Sequence, residues 1–185
     1  GITREYFAAS RPAFMSSGGL TPAQRGTATH KFMQFSDYAA ARADIESELA
    51  RLVDGGFLSE DEGKAVNIGA AKRFFMSSLA ERIFASDNVM REKKFAALFP
   101  AKFFYPELTG EAADDKIVVQ GIADCVFVED GILVILDYKT DTGVDAEALL
   151  DRYSAQLGIY REALSQALGM SVKETLLYSF FMNST

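Results

Sequence analysis

Cysteine is all but missing from this chain. Cys125 stands alone among 185 residues, which excludes an internal disulfide, a four-cysteine zinc site and an iron–sulfur cluster and favours a cytoplasmic setting. Also missing is any run near the roughly 18 apolar residues that a membrane helix needs. No charged, then apolar, then small-residue stretch opens the chain as a signal peptide would, so a membrane role is not expected. The phosphate-cradling pattern GxxxxGK[ST] does not occur, and no nucleotide site or motor is expected here. Basic residues are in deficit: 19 Lys and Arg against 26 Asp and Glu leave a net charge of −7. That balance does not suit a protein that grips nucleic acid across a broad basic face. It leaves room for a metal-dependent phosphodiesterase, whose metal-holding carboxylates add negative charge where the cation sits, with tight DNA binding delegated to another domain or chain. There is no internal repeat, low-complexity segment or convincing linker. With 49% hydrophobic and 24% charged residues, the composition is that of one globular domain with a full core.

What the sequence does contain is concentrated in Val118 to Asp141, VVQGIADCVFVEDGILVILDYKTD. Two apolar runs flank Asp130-Gly131, a pair that fits a two-residue type I′ turn because both positions need positive φ. If Glu129 faces Ile132, counting back along both strands puts Asp124 opposite Asp137. Side chains alternate along a strand, so Lys139 shares a face with Asp137, roughly 7 Å further on. Facing carboxylates, with Cβ atoms about 4.5–5.5 Å apart, repel unless something positive lies between them, and a divalent cation answers that need. Lys139 lies too far along the strand to neutralise both acids.

The rest of the chain frames this hairpin. Residues 1–20 read as a loop-like tail, and a start at Gly1 suggests excision from something larger. Thr21 as N-cap and Pro22 at the first helical position begin a helix carrying Gly26-Thr27-Ala28-Thr29-His30. There, Gly26 allows close packing or the approach of a ligand. His30, the only histidine, is either a metal ligand or an ordinary helical histidine. Residues 38–53 and 60–85 read as helices of a helical layer over 21–86, the second divided near Phe75 to Ser78, with Phe74, Phe75 and Phe84 as core. Asn88 to Phe99 reads as a strand carrying Glu92, which on its own is better read as part of a solvated cluster with Arg91, Lys93 and Lys94. Thr109 to Lys116 reads as a polar loop. Val144 to Gly169 is a long helix on which Tyr153, Gln156 and Tyr160 share a face, while Leu149, Leu157, Leu164 and Leu168 face the core. That polar face looks either toward a site or simply to solvent. Glu174 to Met182 reads as a last strand closing the sheet.

Asp124 followed by Asp137-Tyr138-Lys139 on adjacent strands resembles the PD-(D/E)XK nuclease superfamily. More narrowly it is similar to the RecB-like nuclease domain of the AddA-type chains of bacterial helicase-nucleases. The residues that carry the resemblance are Gly26 to His30, Arg91-Glu92-Lys93-Lys94-Phe95, Gly121-Ile122-Ala123-Asp124, Asp137 to Asp141, and Gln156-Leu157-Gly158-Ile159-Tyr160; Ala123 departs from the larger aliphatic usual before the aspartate. The resemblance implies an α/β fold with a restriction-endonuclease-like core, a mixed central sheet over 87–185 flanked by helices. It implies His30, Asp124, Asp137 and the Tyr138 backbone carbonyl as ligands of Mg²⁺, with Mn²⁺ tolerated, and Lys139 beside the attacking water or scissile phosphate. Gln156 and Tyr160 would border the DNA path, and Glu92 would lie near the site. The implied function is a DNA exonuclease domain acting in double-strand-break repair and recombination. Its implied partners are DNA, a helicase part of the same parent chain and an AddB-like partner chain. The alternative is a nuclease-fold module that binds DNA or a partner without cutting.

Overall fold

The computed structural model describes residues 20–143 and 145–181; the tail read over residues 1–20 lies outside them but for Leu20. Six helices come first: α1 (Pro22–Phe35), α2 (Tyr38–Ala43), α3 (Ile45–Asp54), α4 (Glu60–Ala65), α5 (Ile68–Phe75) and α6 (Ser78–Phe84). Then follow β1 (Val89–Pro100), a short α7 (Glu111–Asp114), β2 (Lys116–Glu129), β3 (Ile132–Lys139), α8 (Ala146–Leu168) and β4 (Val172–Ser179). The strands form one mixed sheet in the order β1-β2-β3-β4, antiparallel across the first two pairs and parallel between β3 and β4. The long α8 supplies the crossover that a parallel pair requires. Among the described residues no helix is long and apolar enough to cross a membrane.

Local chemistry sets these boundaries. Thr21 caps α1 in a reciprocal box with Gln24, with Pro22 just inside. The helix expected over 38–53 is two helices, because Asp44 leaves helical conformation and its carboxylate accepts the Ser47 N–H, starting α3 afresh. The pattern over 60–85 breaks twice: Ser77 caps α6 near the expected division, and Asn67 caps α5 at an additional one. Such short polar side chains end one helix and begin the next by satisfying orphan amides. The acidic loop before β2 contains α7. The long helix begins at cap Asp145 and ends at Gly169, which takes the left-handed φ of +62°. The last strand is β4, an edge strand offset from the expected 174–182, whose final residue lies outside the described ones.

The sheet is packed on both sides. Toward α1–α6 it turns Cys125, Phe127, Val134, Leu136 and Tyr138, which meet Phe32, Leu52, Phe74 and Phe75. Phe74 is the hub, with ring centroids 4.9 Å from Tyr178, 5.3 Å from Phe75 and 5.5 Å from Tyr138. Toward α8 the sheet turns Phe95, Ala97, Phe99, Val126, Leu133 and Ile135, against Ala163 and Leu164. Ala123 also packs on the α8 side, although Cys125, two residues along, packs on the other. β1 makes the same change: Arg91 reaches the carbonyls of Met33 and Ser36 at the end of α1, while Phe95 faces α8. Both strands therefore switch faces at one level, that of Asp124 and Glu92. Glu92 takes φ +49°, a left-handed value unusual for a residue with a side chain.

The far end of the hairpin is pinned by charge. Asp130 and Gly131 both have positive φ, at 54° and 78°, as a type I′ turn requires. Arg82 on α6 holds Glu129 with two hydrogen bonds of 2.8 and 2.9 Å and also bonds Glu174, while Lys173 reaches Glu129 at 2.6 Å. On α8, Gly158 sits in the helix interior with nothing within 4 Å of where a Cβ would go. Replacing it with alanine removes unfolded-chain freedom at no steric cost. Gly158→Ala should raise the unfolding free energy by about 0.5–1 kcal/mol in urea denaturation, and a decrease would show that this turn of α8 is not the open helix described.

Candidate active site

The site lies where the sheet parts. Ladder pairing between β2 and β3 runs from Glu129 opposite Ile132 to Cys125 opposite Leu136 and stops there. The register is the expected one, but the ladder ends one step short of Asp124 and Asp137, so the two acids are not an ordinary facing pair within it. The Tyr138 N–H instead donates to Asp124 Oδ2 at 2.6 Å. On the other side, pairing of β1 with β2 skips Glu92 and Asp124 and resumes at Lys93 opposite Ala123. Asp124 is thus freed from both ladders at the position where its carboxylate is needed.

Around it the structure gathers His30, Glu92 and Asp124, each offering one donor atom, all within 4.8 Å of one another. His30 Nδ1 is 3.2 Å from Asp124 Oδ1. Its helix is seated by close contact: a Cβ at Gly26 would stand 2.7 Å from Thr140 Oγ1, so glycine there lets α1 rest on the end of β3. Gly26, His30, Lys31, Gln34, Glu92, Asp124 and Thr140 line an open groove of about 460 Å³. Glu92 is half-buried and aimed at His30 and Asp124, so it does not belong to a solvated cluster with its lysine neighbours.

Asp137 and Lys139 lie beside this group rather than in it. Asp137 is 4% exposed, and its Oδ2 is 2.6 Å from Lys139 Nζ. That contact is an ion pair, and Lys139 is the one cation that meets this buried oxygen among the described residues. As the alternation along β3 requires, Lys139 reaches Asp137 but not both acids. Its ammonium also sits 3.6 Å from the centre of the Tyr153 ring. Tyr138 points its hydroxyl away, to Tyr38 at 2.9 Å in the helical layer. Gln156 donates to the Tyr160 hydroxyl at 3.0 Å, and the Tyr160 ring packs on Phe95 at 5.1 Å, so Tyr160 is part wall and part core.

Two of the acids hold their protons more tightly than usual. Burial raises the Asp137 pKa, Lys139 opposes this, and the charge of Asp124 adds to it. Burial, then the charge of Asp124, likewise lifts Glu92. For His30, burial works against protonation, but the hydrogen bond to Asp124 and the charges of Asp124, Asp137 and Glu92 outweigh it, and its pKa lies above the usual 6.5. A site that concentrates carboxylates and then recruits protons is one that suits a cation. The donor set, carboxylate oxygens with one imidazole and a buried carboxylate alongside, fits a hard divalent ion.

Two residues of this neighbourhood carry more than their sequence context suggests. Arg91 braces the end of α1, and Tyr153 stacks on Lys139. The spacing that puts Tyr153 on one face with Gln156 and Tyr160 is the available signal for the second; nothing comparable marks Arg91.

A mixed four-stranded sheet flanked by helices, with acids gathered where it opens, is the PD-(D/E)XK nuclease fold, and residues 4–184 match the PD-(D/E)XK nuclease superfamily, to which the chain belongs. It is 37% identical over 178 residues to the A chain of the ATP-dependent helicase/nuclease of Clostridium botulinum (strain Hall), covering 94% of this chain and 14% of that protein. It is also 37% identical over 182 residues to the like-named protein from Geobacillus thermodenitrificans, covering 92% of this chain and 15% of that one. The chain thus spans about one seventh of the length of these relatives. The solved structure of protein VC1899 from Vibrio cholerae aligns over 87% of this chain and 44% of that one with 13% identity and a TM-score of 0.33, too loose a match to carry a conclusion.

A group whose folded pKa is raised contributes stability below its unfolded value and loses it as pH climbs through the folded value. With a chelator present, the excess unfolding free energy of the parent over His30→Asn should therefore be largest below pH 6.5 and shrink above it. A difference that stays flat across this range in urea titrations would contradict the His30–Asp124 contact.

Proposed function

We propose that this chain is the deoxyribonuclease domain of a helicase-nuclease, hydrolysing phosphodiesters exonucleolytically in strands delivered by a motor elsewhere in the same polypeptide, during double-strand-break repair and recombination. The observation that carries this reading is the convergence of His30, Glu92 and Asp124 beside the Asp137–Lys139 pair, where the sheet opens. The relatives' name pairs helicase with nuclease, which supports a motor in the parent chain. The net charge of −7 supports delivery by other parts, including an AddB-like partner chain. A cytoplasmic location agrees with the lone cysteine.

In this reading His30, Asp124 and Asp137, with the Tyr138 carbonyl, hold Mg²⁺, or Mn²⁺ in its place, and Glu92 is a further donor of the same cluster. A cation bound there would supply an activated water and Lewis-acid stabilisation of the phosphate. The protein's residues do the rest. Asp124 keeps its carboxylate aimed by accepting the Tyr138 N–H, and its second oxygen orients His30. Lys139, a compact cation, pairs with a phosphate oxygen or orients the attacking water. Burial raises the proton affinity of Asp137, Lys139 opposes this, and a cation beside the carboxylate would favour its ionised form further. Gln156 and Tyr160 border the path of the strand.

Asp137→Ala in the full-length protein should abolish Mg²⁺-dependent digestion of end-labelled DNA, a loss of at least about a hundredfold by analogy with other metal-site lesions, while far-UV circular dichroism stays unchanged. Cleavage that survives the substitution overturns the assignment. Calorimetry with Mg²⁺ or Mn²⁺ separates this reading from a module that binds without cutting, since such a module need take up neither ion.

A further inference from the structure

The face of α8 that looks at Lys139 does more than border a strand. Lys139 is a long, flexible side chain, and its only ionic restraint among the described residues is Asp137, at 2.6 Å. A ligand that claims the Asp137 carboxylate weakens that restraint at the moment when the ammonium must be in place. The second contact is the Tyr153 ring, with Nζ 3.6 Å from its centre. The Lys139 side chain is only 12% exposed, so the attraction between the ammonium and the negative face of the ring is little screened by water. The ring is itself fixed. Its hydroxyl donates toward Asp141, 3.3 and 3.4 Å from the two carboxylate oxygens, and Arg152 holds Asp141 at 2.9 Å. Asp141 lies just past the end of β3, so this tether ties the turn of α8 carrying Tyr153 to the strand carrying Lys139.

We propose that Tyr153 is a positioning residue for Lys139: its ring, anchored through Asp141, holds the ammonium in the site when the Asp137 carboxylate is engaged by a ligand. This deepens the nuclease reading above and rests on it. The ring makes the contact with the ammonium and the hydroxyl only steadies the ring, so phenylalanine is the conservative replacement and leucine the disabling one.

The test uses the full-length protein with Mg²⁺ and end-labelled single-stranded DNA. Tyr153→Leu should lower kcat on the order of tenfold with KM within about twofold, and Tyr153→Phe should stay within about threefold of the parent. In a Lys139→Ala background, Tyr153→Leu should add no further loss. A rise in KM with kcat kept would make Tyr153 a DNA contact and overturn the proposal, as would Tyr153→Phe failing as badly as Tyr153→Leu. A second readout needs no cleavage: the rate of reductive methylation of Lys139, followed by mass spectrometry on the intact protein. It should rise in Tyr153→Leu and rise less, or not at all, in Tyr153→Phe. An unchanged rate in Tyr153→Leu overturns the positioning role whether or not the protein cuts DNA, whereas a changed rate in a protein that does not cut sinks only the nuclease reading.

Discussion

The hydrogen bond from the Tyr138 N–H to Asp124 is the interaction on which the rest of the site depends. A backbone amide inside a sheet ordinarily goes to the neighbouring strand's carbonyl; here it goes to a side chain, and the ladder stops. A buried amide left without a partner would cost about 1–3 kcal/mol, so the carboxylate both ends the pairing and prevents that loss. Because pairing ends, β2 can switch faces at Asp124, and because β2 switches, β1 switches with it at Glu92. Two acids that a continuous antiparallel ladder would hold within the sheet thereby turn toward α1, where His30 waits.

The charge layout follows from that opening. Glu92 and Asp124 converge toward His30, Asp137 lies close enough to feel the charges of Asp124 and His30, and Lys139 reaches from Asp137 to the Tyr153 ring on α8. The hairpin is held firmly at the other end, where Arg82 and Lys173 bind Glu129 and depress its pKa to about 2. Cations thus stabilise the closed end, and acids predominate at the open one. The contrast assigns the two ends different work: one end is a fixed joint, and the other is kept short of positive charge that a ligand can supply.

Much of this could be read from the residues alone. Asp130-Gly131 fixed the turn, the turn fixed the register, and the register put Lys139 within reach of Asp137. Helix α8 was legible because its apolar spacing, its cap and Gly169 all agree. What could not be read was the interruption. Period-two alternation through Ala123, Asp124 and Cys125 gives no sign that the strand changes faces, because the cause is a side chain competing with the backbone for one amide. The breaks at Asp44 and Asn67 escaped for a related reason: apolar periodicity continues across them, and only the capping geometry marks the restart. Glu92 was hardest, since flanking basic residues made it look solvated, and its left-handed backbone leaves no imprint on composition.

Gly26, resting on Thr140, joins the first described helix to the strand that ends at Lys139. His30 arrives with that early helix, whereas the Lys139 ammonium is steadied by α8, which is made more than a hundred residues later. During synthesis the acids of the hairpin therefore exist for a time with the first wall already made and the second, α8, still to come. A chain that stops before α8 has the charged residues of the hairpin but neither the Tyr153 ring beside Lys139 nor the apolar cover that Ala163 and Leu164 give the second face of the sheet.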